Sequence, residues 1–244
     1  MNHSEILALY DLTLRVQIQI PDMEKEVFPH LVRFIRPAPG SSLVTFSRLN
    51  PAEADAVIDA QVAYFRKRKL PFCWTVFDHD TPPDLKERLA ARGLVVGEQE
   101  DVMVLDLRAA PAELLKPPAE LIRPGTEAEL RVLTGPEHLA DVQGVLEQVW
   151  GENFAWIHAR MGAHLAIPGY LHLLAAYVDG QIASVGWVYF YRNCPFAAFY
   201  GGSTLPAWRG RGLYTALLAA RVQEARRRGY LFATIEAGPM SGPI

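Results

Sequence analysis

Leu205-Pro206-Ala207-Trp208-Arg209-Gly210-Arg211-Gly212-Leu213-Tyr214-Thr215-Ala216-Leu217-Leu218 is the stretch that decides how the rest of the chain is read. An apolar run, Phe196 to Leu205, leads through a turn with two glycines into a helical pattern from about Trp208 to Arg228, closed by Gly229. A helix start presents unpaired N–H groups and the positive end of the helix dipole. An anion reaches those groups only where side chains leave room, which Gly210 and Gly212 provide. Arg209 and Arg211 add cationic donors, and Thr215 adds a hydroxyl. The stretch is a candidate phosphate-binding turn; the plainer reading is a tight strand-to-helix connection with solvated arginines.

Working outward, Tyr230 to Glu236 reads as the next strand, and His172 to Val178 with Ile182 to Tyr191 as a hairpin turned at Asp179-Gly180. A short strand at Leu121-Ile122-Arg123 and helices from about Thr126 to Leu165 precede it. This order predicts an α/β (α+β) fold with a mixed, mainly antiparallel sheet flanked by helices. Arg108 to Pro124 holds Pro111, Pro117, Pro118 and Pro124 and reads as a linker, with a boundary near residue 115. Before it, Ser4 caps a first helix and Pro21 to Gly40 reads as irregular. Leu43 to Leu49 is a strand, and Asn50-Pro51 open a helix to about Lys67 that buries Val57, Ile58, Val62 and Phe65. Pro71 to Phe77 is a strand, Pro82-Pro83 open a helix ending at Gly93, and Leu94 to Leu107 holds one or two strands.

Arg209, Gly212 and Tyr214 stand at the first, fourth and sixth positions of a pattern that resembles the GNAT N-acetyltransferase signature R-x-x-G-x-G/A, with Leu205-Pro206 before it and Leu217-Leu218 after it. Tyr214 departs from the usual Gly or Ala. The resemblance covers about residues 121 to 244 and implies a cytosolic enzyme moving an acetyl group from acetyl-CoA, as co-substrate, to a primary amine of a small molecule or peptide by direct attack. Ser203, Thr204 and Leu205 would bind the pantetheine arm through backbone amides, between strands that splay apart. Arg209, Gly210, Arg211, Gly212, Leu213, Tyr214 and Thr215 would hold the pyrophosphate. Glu236, Tyr200 and Glu152 are the candidates for catalytic base or acid, each with a plain structural alternative. Gly201-Gly202 suggests a bulge or a close backbone approach. The other class of function is a non-catalytic acyl-CoA-binding regulatory protein.

Sliding the first half onto the second aligns Val62 with Val222, Arg66-Lys67-Arg68 with Arg226-Arg227-Arg228, and Phe72 with Phe232. This suggests a tandem arrangement. Residues 1–115 would form a degenerate GNAT-like domain without the phosphate-binding glycines, and 116–244 the acetyltransferase domain. Ala237 to Ile244 reads as the start of a further helix, so the resemblance leads one to expect a second domain short of its last helix and strands, or one in which another segment fills their place.

The 244 residues are 50% hydrophobic and 21% charged, enough for a real core. A net charge of −3 gives no case for nucleic acid or an anionic membrane. The two cysteines are expected as small buried hydrophobes, and no metal is expected. Asp78-His79-Asp80 reads as a turn and helix cap. No secretory signal is recognised, so cytoplasm is the default. Trp150, Phe154, Trp156, Trp187, Tyr189, Phe190 and Tyr191 would suit an acceptor pocket. A homodimer is left open.

Overall fold

A computed structural model describes residues 1–37 and 40–238, in two compact units, 1–99 and 100–244. The first opens with helix α1 (His3–Tyr10), capped by Asn2 rather than Ser4: the Asn2 side chain accepts from the Glu5 amide and Glu5 answers the Asn2 amide. A π-helical turn, Asp11–Gln17, follows. The stretch expected to be irregular forms a hairpin, β1 (Glu24–Phe28) and β2 (Leu31–Ile35). Pro21, Pro29 and Pro37 flank or turn the hairpin without lying inside either strand. Then come β3 (Ser42–Ser47), helix α2 (Ala54–Arg68), β4 (Phe72–Trp74) and a short helix α3 (Leu85–Ala90). The sheet order is β1-β2-β3-β4, antiparallel except for the β3/β4 pair joined by α2. Ile58 and Phe65 of α2 pack on Val44, Trp74 and Leu85, while Val57 and Val62 are only partly buried. Gln61 takes a buried place on that stripe by accepting from Arg33 at 2.6 Å.

Contacts divide the chain at residue 99, not near 115. The reason is β5 (Asp101–Asp106), which pairs along its whole length with the last strand of the second unit. β5 thus occupies the sheet position beside that strand, where the sequence reading left the second domain short. The segment after it wraps the second unit in 3-10 turns, and no strand forms at Leu121–Arg123. Ala128–Leu133, expected to be helical, is strand β6, with Ala128 and Leu130 packed against the core and Leu133 buried. Helices α4 (Leu139–Trp150) and α5 (Trp156–Leu165) follow. The hairpin turned at Asp179-Gly180 is β7 (Leu171–Val178) and β8 (Gln181–Phe190). β9 (Phe196–Thr204), α6 (Leu213–Arg227) and β10 (Phe232–Ala237) complete the unit. The order β5-β10-β9-β8-β7-β6 has one parallel pair, β9/β10. Val222 and Ala225 of α6 pack on Val188, Phe190, Ala197, Phe199 and Ala233. The further helix expected after Ala237 lies outside the described residues.

Cys73 is exposed on β4 and Cys194 half-buried, so neither is the buried hydrophobe expected. Asp80 accepts from the Phe77 amide at 3.0 Å, as a turn residue does, but its main partner is the buried Arg15 guanidinium at 2.6 Å. Among the described residues no helix is long and apolar enough to cross a membrane.

Candidate functional site

The parallel pair β9/β10 is in register only at Phe196/Phe232, Ala197/Ala233 and Ala198/Thr234. Beyond those residues both strands continue without pairing to each other, so a gap opens between Phe199–Thr204 and Ile235–Ala237. On its other side β9 stays paired with β8, apart from an irregularity in which Gly186 faces both Gly201 and Gly202. Gly201 sits there at φ +63°, and a Cβ would meet the Trp187 ring at 1.8 Å. Here the sequence cue of two glycines corresponds to a bulge.

Strand alternation assigns the amides along the gap. Leu205 donates to the Ala183 carbonyl at 2.9 Å, toward β8. It is therefore not available to a ligand, against the sequence expectation. Ser203 pairs with Val185 and faces the same way. Thr204, one residue out of step, turns its backbone toward the gap, and its carbonyl takes Arg209 Nε at 3.2 Å. The Ser203 hydroxyl accepts from Trp150 Nε1 at 2.9 Å.

The gap leads to the start of α6. Gly210 and Gly212 both hold left-handed φ, +71° and +83°. Their reasons differ. A Cβ on Gly210 meets nothing within 4 Å, so that side of the turn is open to an approaching anion. A Cβ on Gly212 would lie 2.0 Å from the Leu121 carbonyl oxygen, because the 118–123 segment packs against the turn and Arg123 donates to Arg211 O at 3.0 Å. The first intrahelical bond is Ala216 N–H to Gly212 O, at 2.9 Å. The Leu213, Tyr214 and Thr215 amides stand ahead of it as the free end of the helix dipole. Arg209, Gly210 and Arg211 are exposed around them, with Arg211 over the Trp208 ring at 4.6 Å. Open amides, two exposed guanidinium groups and a strand gap fit a phosphate with a long tail.

Tyr214 leans its ring over Gly202, where a Cβ would come within 2.7 Å, and its phenol stands beside Arg221, favouring that residue's charge. Sequence reasoning passed over Arg221. The available signal was a lone cation on the apolar face of α6, between Leu217 and Val222.

The sheet face opposite α6 carries Tyr189, Tyr200 and Glu236. Tyr189 and Tyr200 meet edge-on at 5.7 Å, Tyr189 stacks on Tyr191 at 6.0 Å, and Tyr189 Oη lies 3.0 Å from His164 Nδ1. Burial pushes the Tyr200 phenol well up, and the nearby Glu236 carboxylate adds to the rise. Glu236 is exposed at the end of β10. Glu152 is exposed in the turn between α4 and α5, two residues past Trp150. The structure thus brings Glu236 and Tyr200 together, with Trp150 on the same face through Ser203. The arginines at the end of α6 are tied down: Arg227 and Arg228 both hold Glu224 at 2.7 Å, drawing its carboxyl down to about 2, and Arg228 donates to Gly169 O.

Residues 142–238 match the model of the Acetyltransferase (GNAT) family. A GCN5-related N-acetyltransferase from Kribbella flavida shares the fold at 15% identity, covering 100% of this chain and 88% of that one, with a TM-score of 0.67. A tandem GNAT protein from the clavulanic acid biosynthesis pathway does so at 15% identity, over 96% and 80% of the two chains, with a TM-score of 0.59. A functionally unknown conserved protein from Staphylococcus epidermidis aligns at 14% identity over 91% and 86%, with a TM-score of 0.61. No curated protein matches the chain.

Proposed function

With a GNAT acetyltransferase domain in the second unit as the premise, we propose that this unit transfers an acetyl group from acetyl-CoA to a primary amine. The observation that supports this best is the open start of α6, with its two left-handed glycines, at the end of the β9/β10 gap. In this reading the amides of Leu213, Tyr214 and Thr215, with Arg209, Gly210, Arg211 and Gly212, hold the pyrophosphate. The pantetheine arm lies along the Ser203–Thr204 edge of β9, where the outward Thr204 amide is the donor.

The neutral amine nitrogen attacks the thioester carbonyl carbon, the C–S bond breaks, and the products are the N-acetyl amine and CoA thiol, the proton lost by nitrogen balancing the one gained by sulfur; an amine that arrives as ammonium releases one further proton. Glu236 takes the amine proton, directly or through water. Tyr200 is a poor base, because burial and the nearby Glu236 carboxylate keep its phenol protonated; in this reading its hydroxyl donates a hydrogen bond to the departing sulfur rather than giving up its proton. Glu152 stands on the acceptor side. Tyr189, Tyr200 and Trp150 wall that side with aromatic surface, which suits a small-molecule or peptide amine with an apolar body. Residues 1–99 act as a degenerate GNAT-like domain without a cofactor site, and the protein works in the cytoplasm.

Calorimetry with acetyl-CoA, followed by thiol release across an amine panel, tests this. Micromolar binding with turnover of at least one amine is expected. Binding without turnover would move the reading to acyl-CoA sensing, and absence of binding would sink it.

A further inference from the structure

Arg221 is the largest fully buried side chain of the described residues, at 0% exposure, and no carboxylate among them pairs with it. Its Nε donates to Leu217 O at 3.1 Å, and its Nη1 reaches Tyr200 O at 3.4 Å, the outer limit of a hydrogen bond. Nη2 is enclosed with no hydrogen-bond partner. The guanidinium lies 5.1 Å from the Phe199 ring centroid. Burial draws it down to about 10, so it remains a cation at neutral pH. A buried charge without a counterion is costly.

The surroundings are cut to admit it. A Cβ on Gly186 would meet Arg221 Cζ at 2.9 Å and Nη1 at 3.0 Å. Gly186 is the residue of β8 that faces the Gly201-Gly202 bulge. Tyr214, the departure from the family pattern, fills the space over Gly202 and brings its phenol to the same guanidinium. Gly186, Gly202, Tyr214 and Arg221 therefore form one packing unit between the phosphate-binding turn and the bulge.

The bond to Tyr200 O has a consequence across the peptide. C=O and N–H of a trans peptide point opposite ways, so the N–H of Gly201 points away from Arg221. A cation on the carbonyl polarises the peptide and strengthens that N–H as a donor. We infer that Arg221 is a positioning residue: it fixes the β9 bulge and, through the Tyr200–Gly201 peptide, raises the pull of the bulge on the thioester carbonyl as charge develops on its oxygen. The inference rests on the acetyl-CoA reading of the gap.

Difference infrared spectroscopy of carbonyl-labelled acetyl-CoA, bound to the full chain, reads that pull directly. The wild-type protein should lower the thioester carbonyl stretch relative to free acetyl-CoA. Arg221→Met should return most of that shift while acetyl-CoA affinity changes less than about threefold. With an accepting amine, kcat should fall about tenfold or more with little change in KM. Replacing an unpaired buried charge by an apolar chain of similar length is commonly tolerated, so Tm should hold or rise. Gly186→Ala, which keeps the charge and crowds the guanidinium, should move the stretch in the same direction, and it carries the test if Arg221→Met fails to fold. Variants that bind acetyl-CoA with the wild-type stretch would overturn the role of Arg221 and leave the cofactor reading standing. A wild-type protein that does not bind acetyl-CoA would remove both.

Discussion

The two units each contain a strand–helix–strand crossover, β3–α2–β4 and β9–α6–β10, and the two treat the ends of their strands in opposite ways. In the first, pairing at Ser42/Phe72 to Val44/Trp74 is followed by Thr75 N–H to Val44 O, and the chain returns to β3 at Arg48/Thr81 with Leu49 N–H on Thr81 O. The π-helical turn packs against the same strand: Arg15 Nε donates to Thr45 O and Thr45 Oγ1 to Arg15 O, each at 2.8 Å. Arg15 is also paired with Asp11 and Asp80 and lies over the Phe77 ring at 3.9 Å. The helix start is closed as well, since Asn50 accepts from Ala52 through its side chain and from Glu53 and Ala54 through its carbonyl. In the second unit β9 and β10 part after three pairs, and α6 starts behind two left-handed glycines. A crossover has room for a ligand when its strand ends and first-turn amides are left without internal partners. The same topology is a plain structural joint when they are satisfied.

The largest expected effect tests the closed side. Arg15→Met leaves Asp11 and Asp80 as buried acids without their cation and should cost about 3–5 kcal/mol in the first unit, read by hydrogen exchange of its amides. Acetyl-CoA should still bind with a stoichiometry of one. A second binding event would show that the two crossovers differ less than their hydrogen bonds imply.

On the open side, Gly212→Val drives a side chain into the Leu121 carbonyl and should lower acetyl-CoA affinity by more than about a hundredfold. Gly210→Ala meets no atom, so it should cost only the left-handed strain, about 1–2 kcal/mol of stability. Equal effects of the two on calorimetric affinity would break the distinction between them. Arg209→Ala with Arg211→Ala should weaken intact acetyl-CoA about tenfold and a phosphate-free pantetheine thioester hardly at all. Similar losses for both ligands would argue against phosphate contact.

A smaller effect concerns pH. Burial pushes the His172 imidazole below its ordinary value. The folded state therefore prefers the neutral ring, and the unfolded chain binds the proton first. The second unit should keep this contribution above about pH 6.5 and lose it as pH falls, by at most about 1.4 kcal/mol per unit. Thermal unfolding followed from pH 7 to pH 5 should show the decline, and His172→Leu should flatten it. An unchanged slope in the variant would assign the acid sensitivity elsewhere.

The sequence by itself determined the second crossover. The alternation around Asp179-Gly180, the glycine pair before Leu213 and the apolar stripe of α6 are local signals, and local signals set strands, turns and helix starts through backbone sterics and burial. Their spacing also placed Gly210 and Gly212 at a helix N-terminus and allowed the bulge at Gly201-Gly202. Only the tertiary structure decided the rest. β5 joins β10 because a strand's partner is chosen by the sheet edge it reaches, which a boundary drawn from prolines does not show. Ala128–Leu133 is a strand because β7 offers it a neighbour. Leu205 falls out of the site because its amide faces β8, and a bulge resets which amides face the gap. Arg221 and Tyr214 lie two turns apart on one face of α6, but their contacts with Gly186, Gly202 and Tyr200 form only when α6 lies on the sheet, since they join residues far apart in the chain, where no local pattern can act.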